Sequence, residues 1–109
     1  MSIKDFMLDK STAIPAIITK LEKLSEGHYL DLRTYKRNRS IIIVKSQENR
    51  FFIIENGYET NQFTVTLDMI KKTLKKLLKK EFPRSNKIRV YSMGEFTDQK
   101  VLGTRLKKI

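Results

Sequence analysis

Residues 40–54 read SIIIVKSQENRFFII and decide the fold. Ser40–Lys45 and Arg50–Ile54 are β-branched or aromatic at almost every position, so both faces of each run are apolar. Short runs of that kind suit central strands covered on two sides. Gln47–Asn49 between them is polar and marks a turn. Two central strands joined by a tight turn predict the middle of an antiparallel sheet.

Upstream, Tyr29–Arg37 alternates with period two. Leu30, Leu32 and Thr34 share one face, and Tyr29, Asp31, Arg33, Tyr35 and Arg37 share the other. This is the pattern of a half-exposed strand. Asn38–Arg39 reads as the turn into the central pair. Downstream, Asn56–Gly57 is a hairpin signal, and Gln62–Val65 can add a short strand. Lys87–Met93 alternates again, with Ile88 and Val90 inward and Arg89 and Tyr91 outward.

Two segments carry helical spacing. Ala13–Ser25 places Ile14, Ile17, Ile18, Leu21 and Leu24 on one face. Ser11 or Thr12 can cap it, Pro15 falls in its first turn, and Gly27 follows its end. The short stretch before it, with Ile3, Phe6 and Met7, reads as a further short helix or as loosely packed chain. The second helix is expected to be capped by Thr66, to carry Asp68 in its first turn, and to stop at Pro83 after about Phe82. Leu67, Ile70, Leu74, Leu77, Leu78 and Phe82 form its apolar stripe. The expectation is an α+β domain over residues 1–93. It has an antiparallel sheet of four to five strands and two main helices, followed by a basic tail over 94–109. Strands apolar on both faces need cover on both sides, from helices on opposite faces or from a homodimer.

The chain has 109 residues, 23 basic and 12 acidic, for a formal charge of +11. Cys is absent and there is one His. Disulfides, thiol nucleophiles, Cys-ligated metals and multi-histidine metal sites are thereby excluded within one chain. No apolar run approaches the roughly 18 residues of a membrane span, and the first residues lack a secretory pattern. The cytoplasm is the expected compartment, and no metal or cofactor is called for. Residues 66–93 hold nine basic groups against Asp68 and Glu81, so most of the excess charge sits on one short stretch. Such a local field attracts polyanions.

Within that stretch, KKTLKKLLKKE stacks lysines four residues apart, with Lys72, Lys75, Lys76 and Lys79 on the face opposite the stripe. Like charges at that spacing repel by a few tenths of a kcal/mol per pair, and a phosphate backbone would relieve them. The same run would also serve as a solvated face. An anionic membrane is the poorer partner, because the core needs the apolar stripe. A second constellation is the strand face Tyr29, Arg33, Tyr35 and Arg37, which Arg50, Arg89 and Tyr91 would extend. Aromatics interleaved with arginines suit single-stranded nucleic acid, through stacking and phosphate contact. They also suit ordinary cross-strand pairing. His28 stands alone, with no nucleophile at an informative spacing. Asp31, Glu55 and Lys45 have the residue types of a metal-dependent nuclease but lack its acidic-x-Lys tripeptide.

The runs YLDLRTYKR, SIIIVK, RFFIIENGYE and FTVTLDMIKKTLKKLL, spanning about Tyr29 to Leu78, resemble the positive cofactor four coactivator family and its small bacterial relatives. That resemblance implies antiparallel strands followed by a helix. It also implies a dimer that binds single-stranded DNA on its sheet, with Tyr29, Arg33, Tyr35, Arg37 and Arg50 facing the ligand. The family's helix Trp and glycine-flanked last strand have no counterpart here, and the first helix and the Lys87–Met93 strand are additions. The helix–strands–helix order also resembles double-stranded RNA-binding domains, without the glycine-containing loop before their lysine-rich helix. The expected function is nucleic-acid binding without catalysis, by a homodimer, on single-stranded DNA or RNA. The alternatives are a regulatory protein that docks an acidic protein partner, and a small toxin-type ribonuclease using His28.

Overall fold

A computed structural model of the chain describes residues 5–34, 39–83 and 86–96. Eight elements follow in order: β1 (Asp5–Asp9), α1 (Lys10–Lys23), β2 (His28–Arg33), β3 (Ser40–Lys45), β4 (Arg50–Asn56), β5 (Thr60–Thr66), α2 (Leu67–Glu81) and β6 (Lys87–Glu95). The six strands form one antiparallel sheet in the order β1-β6-β2-β3-β4-β5. The α+β class is as expected, with more strands than four or five. The two apolar runs, β3 and β4, are central neighbours, with Ile42 opposite Ile54 and Ile43 opposite Ile53.

Both helices lie on one face of the sheet. Ala13, Ile17 and Leu21 of α1 and Ile70, Leu74, Leu77 and Leu78 of α2 share a core with Leu30, Leu32, Ile41, Ile43, Phe51, Ile53, Ile88 and Val90. The sequence had offered helices on opposite faces or a homodimer. Instead the second face carries its own cluster. Tyr29, Ile42, Val44 and Ile54 are 0–6% exposed within the single chain, with Phe52 and Phe96 packed against them. Phe96 meets the Tyr29 ring edge-on at 5.4 Å. Burial of these side chains in the chain itself removes the packing argument that asked for a second copy.

Three departures from the sequence reading have local causes. The stretch expected as a short helix or loose chain is edge strand β1, paired with β6 so that Phe6 lies opposite Val90 and Leu8 opposite Ile88. A five-residue segment announces no partner 80 residues away. Because α1 starts directly at Lys10, Asp9 holds the N-cap position without a side-chain cap bond, and Pro15 falls in the second turn rather than the first. Strand β6 runs past the expected end at Met93. A register shift against β2 leaves Met93 between the paired residues Ser92 and Gly94, and Gly94 takes φ +81°. Only glycine adopts that conformation without strain, so what reads as a break is a bulge that carries the chain on to Phe96.

The α2 prediction holds closely. Thr66 is its N-cap residue, Asp68 lies in its first turn, and Phe82 is its C-cap residue ahead of Pro83. Leu74 is fully buried midway along this stripe. Leu74→Ala should therefore lower stability by about 2–5 kcal/mol, read from urea unfolding midpoints. Lys75→Ala, on the exposed side, should change it by less than about 0.5 kcal/mol.

Candidate functional site

Burial of the α2 stripe fixes where its charges go. Lys71, Lys72, Lys75, Lys76, Lys79 and Lys80 are all exposed and spread over the outward half of the helix. Of the six, only Lys80 ion-pairs with a described carboxylate; its Nζ lies 2.9 Å from both Glu55 and Glu59. A groove runs along each side of α2. One, of about 610 Å³, lies between α2 and the start of α1 and is bordered by Lys10, Lys75 and Lys79. The other, of about 460 Å³, lies between α2 and β5 and is bordered by Lys72, Lys76 and Lys80. The lysines of residues 71–80 thus surround both grooves with positive charge.

The strand residues are elsewhere. Tyr29, Arg33, Arg89 and Tyr91 occupy the sheet face that the helices do not cover, as their register shows: Asp31 lies opposite both Tyr91 and Ile42, and Arg33 opposite Arg89. Tyr29 is on the anticipated face but is 3% exposed, packed under Phe96, so its ring offers no stacking surface. Burial, with the Asp31 charge, also raises its hydroxyl pKa above the usual phenol value. The Arg33 guanidinium binds Asp31, with Nε and Nη2 each 3.0 Å from Oδ2. Arg50 begins β4, six residues from the Asn56 row that aligns with Arg33, or roughly 20 Å along the strand. Tyr35 and Arg37 lie outside the described residues. The predicted set is therefore divided: the lysines on one side of the molecule, Arg33, Arg89 and Tyr91 on the other, and Arg50 at the far end of its strand.

The nuclease-like trio does not converge either. Asp31 lies on the uncovered face, while Glu55 and Lys45 lie on the helix face, and Lys45 Nζ donates to the Glu22 carbonyl at 2.9 Å. Among the described residues no group of three His, Cys, Asp or Glu side chains is placed to hold a metal. No described helix is long and apolar enough to cross a membrane.

One functional-looking cluster escaped the sequence reading. Glu55 and Glu81 are 1% and 0% exposed and interact electrostatically where α2 ends against the β4–β5 hairpin. Glu81 accepts the backbone N–H groups of Tyr58 (2.6 Å) and Glu59 (3.2 Å). Glu55 accepts from Asn61 Nδ2 at 3.0 Å and faces Lys80. Gly57 admits this contact, because a Cβ there would stand 2.0 Å from Glu81 Oε1. Arg39 completes the corner, with Nη1 donating to the Glu81 carbonyl at 3.2 Å and its guanidinium 3.7 Å from the Tyr58 ring centre. The only sequence signals were Glu81 interrupting an apolar helix face and Glu55 ending an apolar strand just before Asn56–Gly57.

Two carboxyls in contact cannot both ionise cheaply. Burial raises Glu81, and its interaction with Glu55 raises it further, against the two backbone donors. Burial also pushes Glu55 up, but its interaction with Glu81, hydrogen bonds from Asn61 and Lys80 and the Lys80 charge outweigh it, so Glu55 is lowered. Of the two, Glu81 is therefore the carboxyl that takes up a proton more readily.

No protein-family model and no curated protein sequence matches the chain. Among solved structures it is similar to the Pseudomonas avirulence protein AvrPphB, with a TM-score of 0.57 and 12% identity over 84% of this chain and 51% of that one. The chain thus spans about half the length of that protein. At this identity the likeness concerns the fold alone and lends nothing to a nucleic-acid reading.

The carboxyl pair sets a stability profile with two limbs. The Glu55 contribution is present above the ordinary carboxylate pKa and is lost as pH falls through its lowered value. The Glu81 contribution is present below the ordinary carboxylate pKa and is lost as pH rises through its raised value. Urea midpoints should therefore peak in weak acid and decline on both sides. Glu81→Gln, which cannot ionise, should flatten the limb toward neutral pH while leaving the acid limb in place.

Proposed function

We propose that this protein binds nucleic acid, chiefly through phosphate contacts made by the outer face of α2, and that it is not an enzyme. The observation that carries this reading is that Lys71, Lys72, Lys75, Lys76 and Lys79 are exposed with no described carboxylate partner. Partnered lysines would be a solvated, self-neutralising surface. These five instead repel one another at i, i+3 and i, i+4 spacing, and a polyanion removes that repulsion while releasing its own counterions. The antiparallel strands leading into a helix, on which the positive cofactor four resemblance rests, agree with the same reading. The surface, however, is α2 rather than the Tyr/Arg strand face, where Tyr29 is buried and Arg33 is held by Asp31. Membrane binding loses its basis, because the apolar side of α2 lies in the core.

Fluorescence anisotropy with labelled single-stranded DNA, duplex DNA and RNA tests it. If all five lysines engage, log K should fall against log salt with a slope of about −3.5 on single strands, at roughly −0.7 per phosphate. Replacing Lys72, Lys76 and Lys79 together with Glu should abolish binding, while Arg33→Ala and Arg89→Ala should change affinity less than about twofold. An unchanged Kd in the triple variant, folded by circular dichroism, would refute the proposal.

A further inference from the structure

We propose that the groove between α2 and the edge strand β5 holds one unpaired nucleobase, with the adjoining phosphates on Lys72 and Lys76. The inference rests on the phosphate-binding reading above and adds the base site that this reading leaves open.

The groove has two chemically different parts. Its floor is apolar: Phe63 of β5, with Met69 and Leu77 of α2. Met69 is 45% exposed, one of few large apolar side chains left in contact with solvent, and Phe63 is half-buried. An aromatic ring beside a thioether is a favourable surface for a flat π-system. Its rim is cationic, with Lys72, Lys76 and Lys80 one turn apart, about 6 Å of helix rise between each and the next. At about 460 Å³ the groove falls within the range of small-ligand sites.

The end of the groove is polar and held in place. Asn61 Nδ2 donates to Glu55 at 3.0 Å and to Glu59 at 3.3 Å. Both of its N–H groups are thereby used, and its Oδ1 is the atom that can accept from a base N–H. Glu55, buried beneath, is a positioning residue: it orients Asn61 and draws the Lys80 ammonium to the same end.

Inorganic phosphate would use the rim and ignore the floor. An acyl chain would use the floor and leave Asn61 and the lysines without partners. A nucleotide uses all three parts. In a duplex the base faces are stacked and their hydrogen-bonding edges paired, so only an unpaired base can enter. The preference for single strands expected from the strand aromatics thus moves to Phe63 and Asn61, two residues the sequence reading did not select.

The test compares three labelled oligomers of equal length: a mixed-sequence single strand, an abasic strand with the same phosphates, and a duplex. The full-length protein should bind the single strand about tenfold more tightly than the abasic strand, and more tightly than the duplex. Phe63→Leu, which keeps the core filled, and Asn61→Ala, at an exposed position, should each erase most of that ratio while leaving the abasic affinity unchanged. Equal affinity for the single and abasic strands, or a ratio that survives both variants, would overturn the base site and leave phosphate binding standing. Absence of binding to all three would overturn both.

Discussion

The packing of one side of α2 against the sheet constrains the rest of the molecule. Ile70, Leu74, Leu77 and Leu78 face the core that α2 shares with α1 and with β2, β3, β4 and β6. Once that side is committed, helical geometry sends residues 71, 72, 75, 76, 79 and 80 outward. Six ammonium groups on fifteen residues raise the free energy of the helix by pairwise repulsion. The fold tolerates this because apolar burial is worth about 1.5–3 kcal/mol per large side chain. The helix backbone that carries the cationic surface is therefore held in place by the core.

The far end of α2 depends on a second constraint. Phe82 is its C-cap residue, and the Lys10 ammonium bonds the Phe82 carbonyl while Arg39 bonds that of Glu81. Both cations lie where the helix dipole is negative. The Glu81 carboxyl reaches instead toward the β4–β5 hairpin and bonds two of its backbone N–H groups. Buried carboxyls cost several kcal/mol unless they are hydrogen-bonded or protonated; here the two hairpin N–H groups supply the hydrogen bonds. The contact fixes the spacing between α2 and β5, and so the width of the groove that Phe63, Asn61 and the lysines line.

How much of this was legible in the sequence varies with the range of the interaction. Helix α2 could be read to within a residue, because its stripe, its Asp68 and its stop at Pro83 are local signals. Strands β3 and β4 were legible because residues apolar on both faces fit no other environment. Strand β1 was not, since its pairing with β6 joins residues about 80 apart. The side to which each face of the sheet turned was legible for Arg33, Arg89 and Tyr91, but their burial was not. Tyr29 alternates as an exposed residue does, and it is covered by Phe96, which arrives only because Gly94 permits a bulge. Glu55 and Glu81 were hidden for a similar reason. Each is a charged residue in an apolar pattern, and only the tertiary contact shows that they face each other.

For the proposed polyanion ligand, the division of the cationic groups between two sides also decides what kind of path is physically reasonable. A strand lying on α2 can reach both flanking grooves without leaving the helix layer. To touch Arg33 and Arg89 as well, it would have to pass around the sheet edge, past β1 or β5, and the sheet and helix layer together separate the two surfaces. Strand β5 is the nearer edge to the lysines of groove-side α2, and it carries Thr60, Asn61, Gln62 and Thr64 exposed, with no cation of its own. Lacking positive charge there, the edge gives a polyanion no electrostatic reason to continue round it. The arrangement favours a short contact confined to α2 over a wrapped one, and it leaves Arg33 tied to Asp31 as a structural pair of the open face.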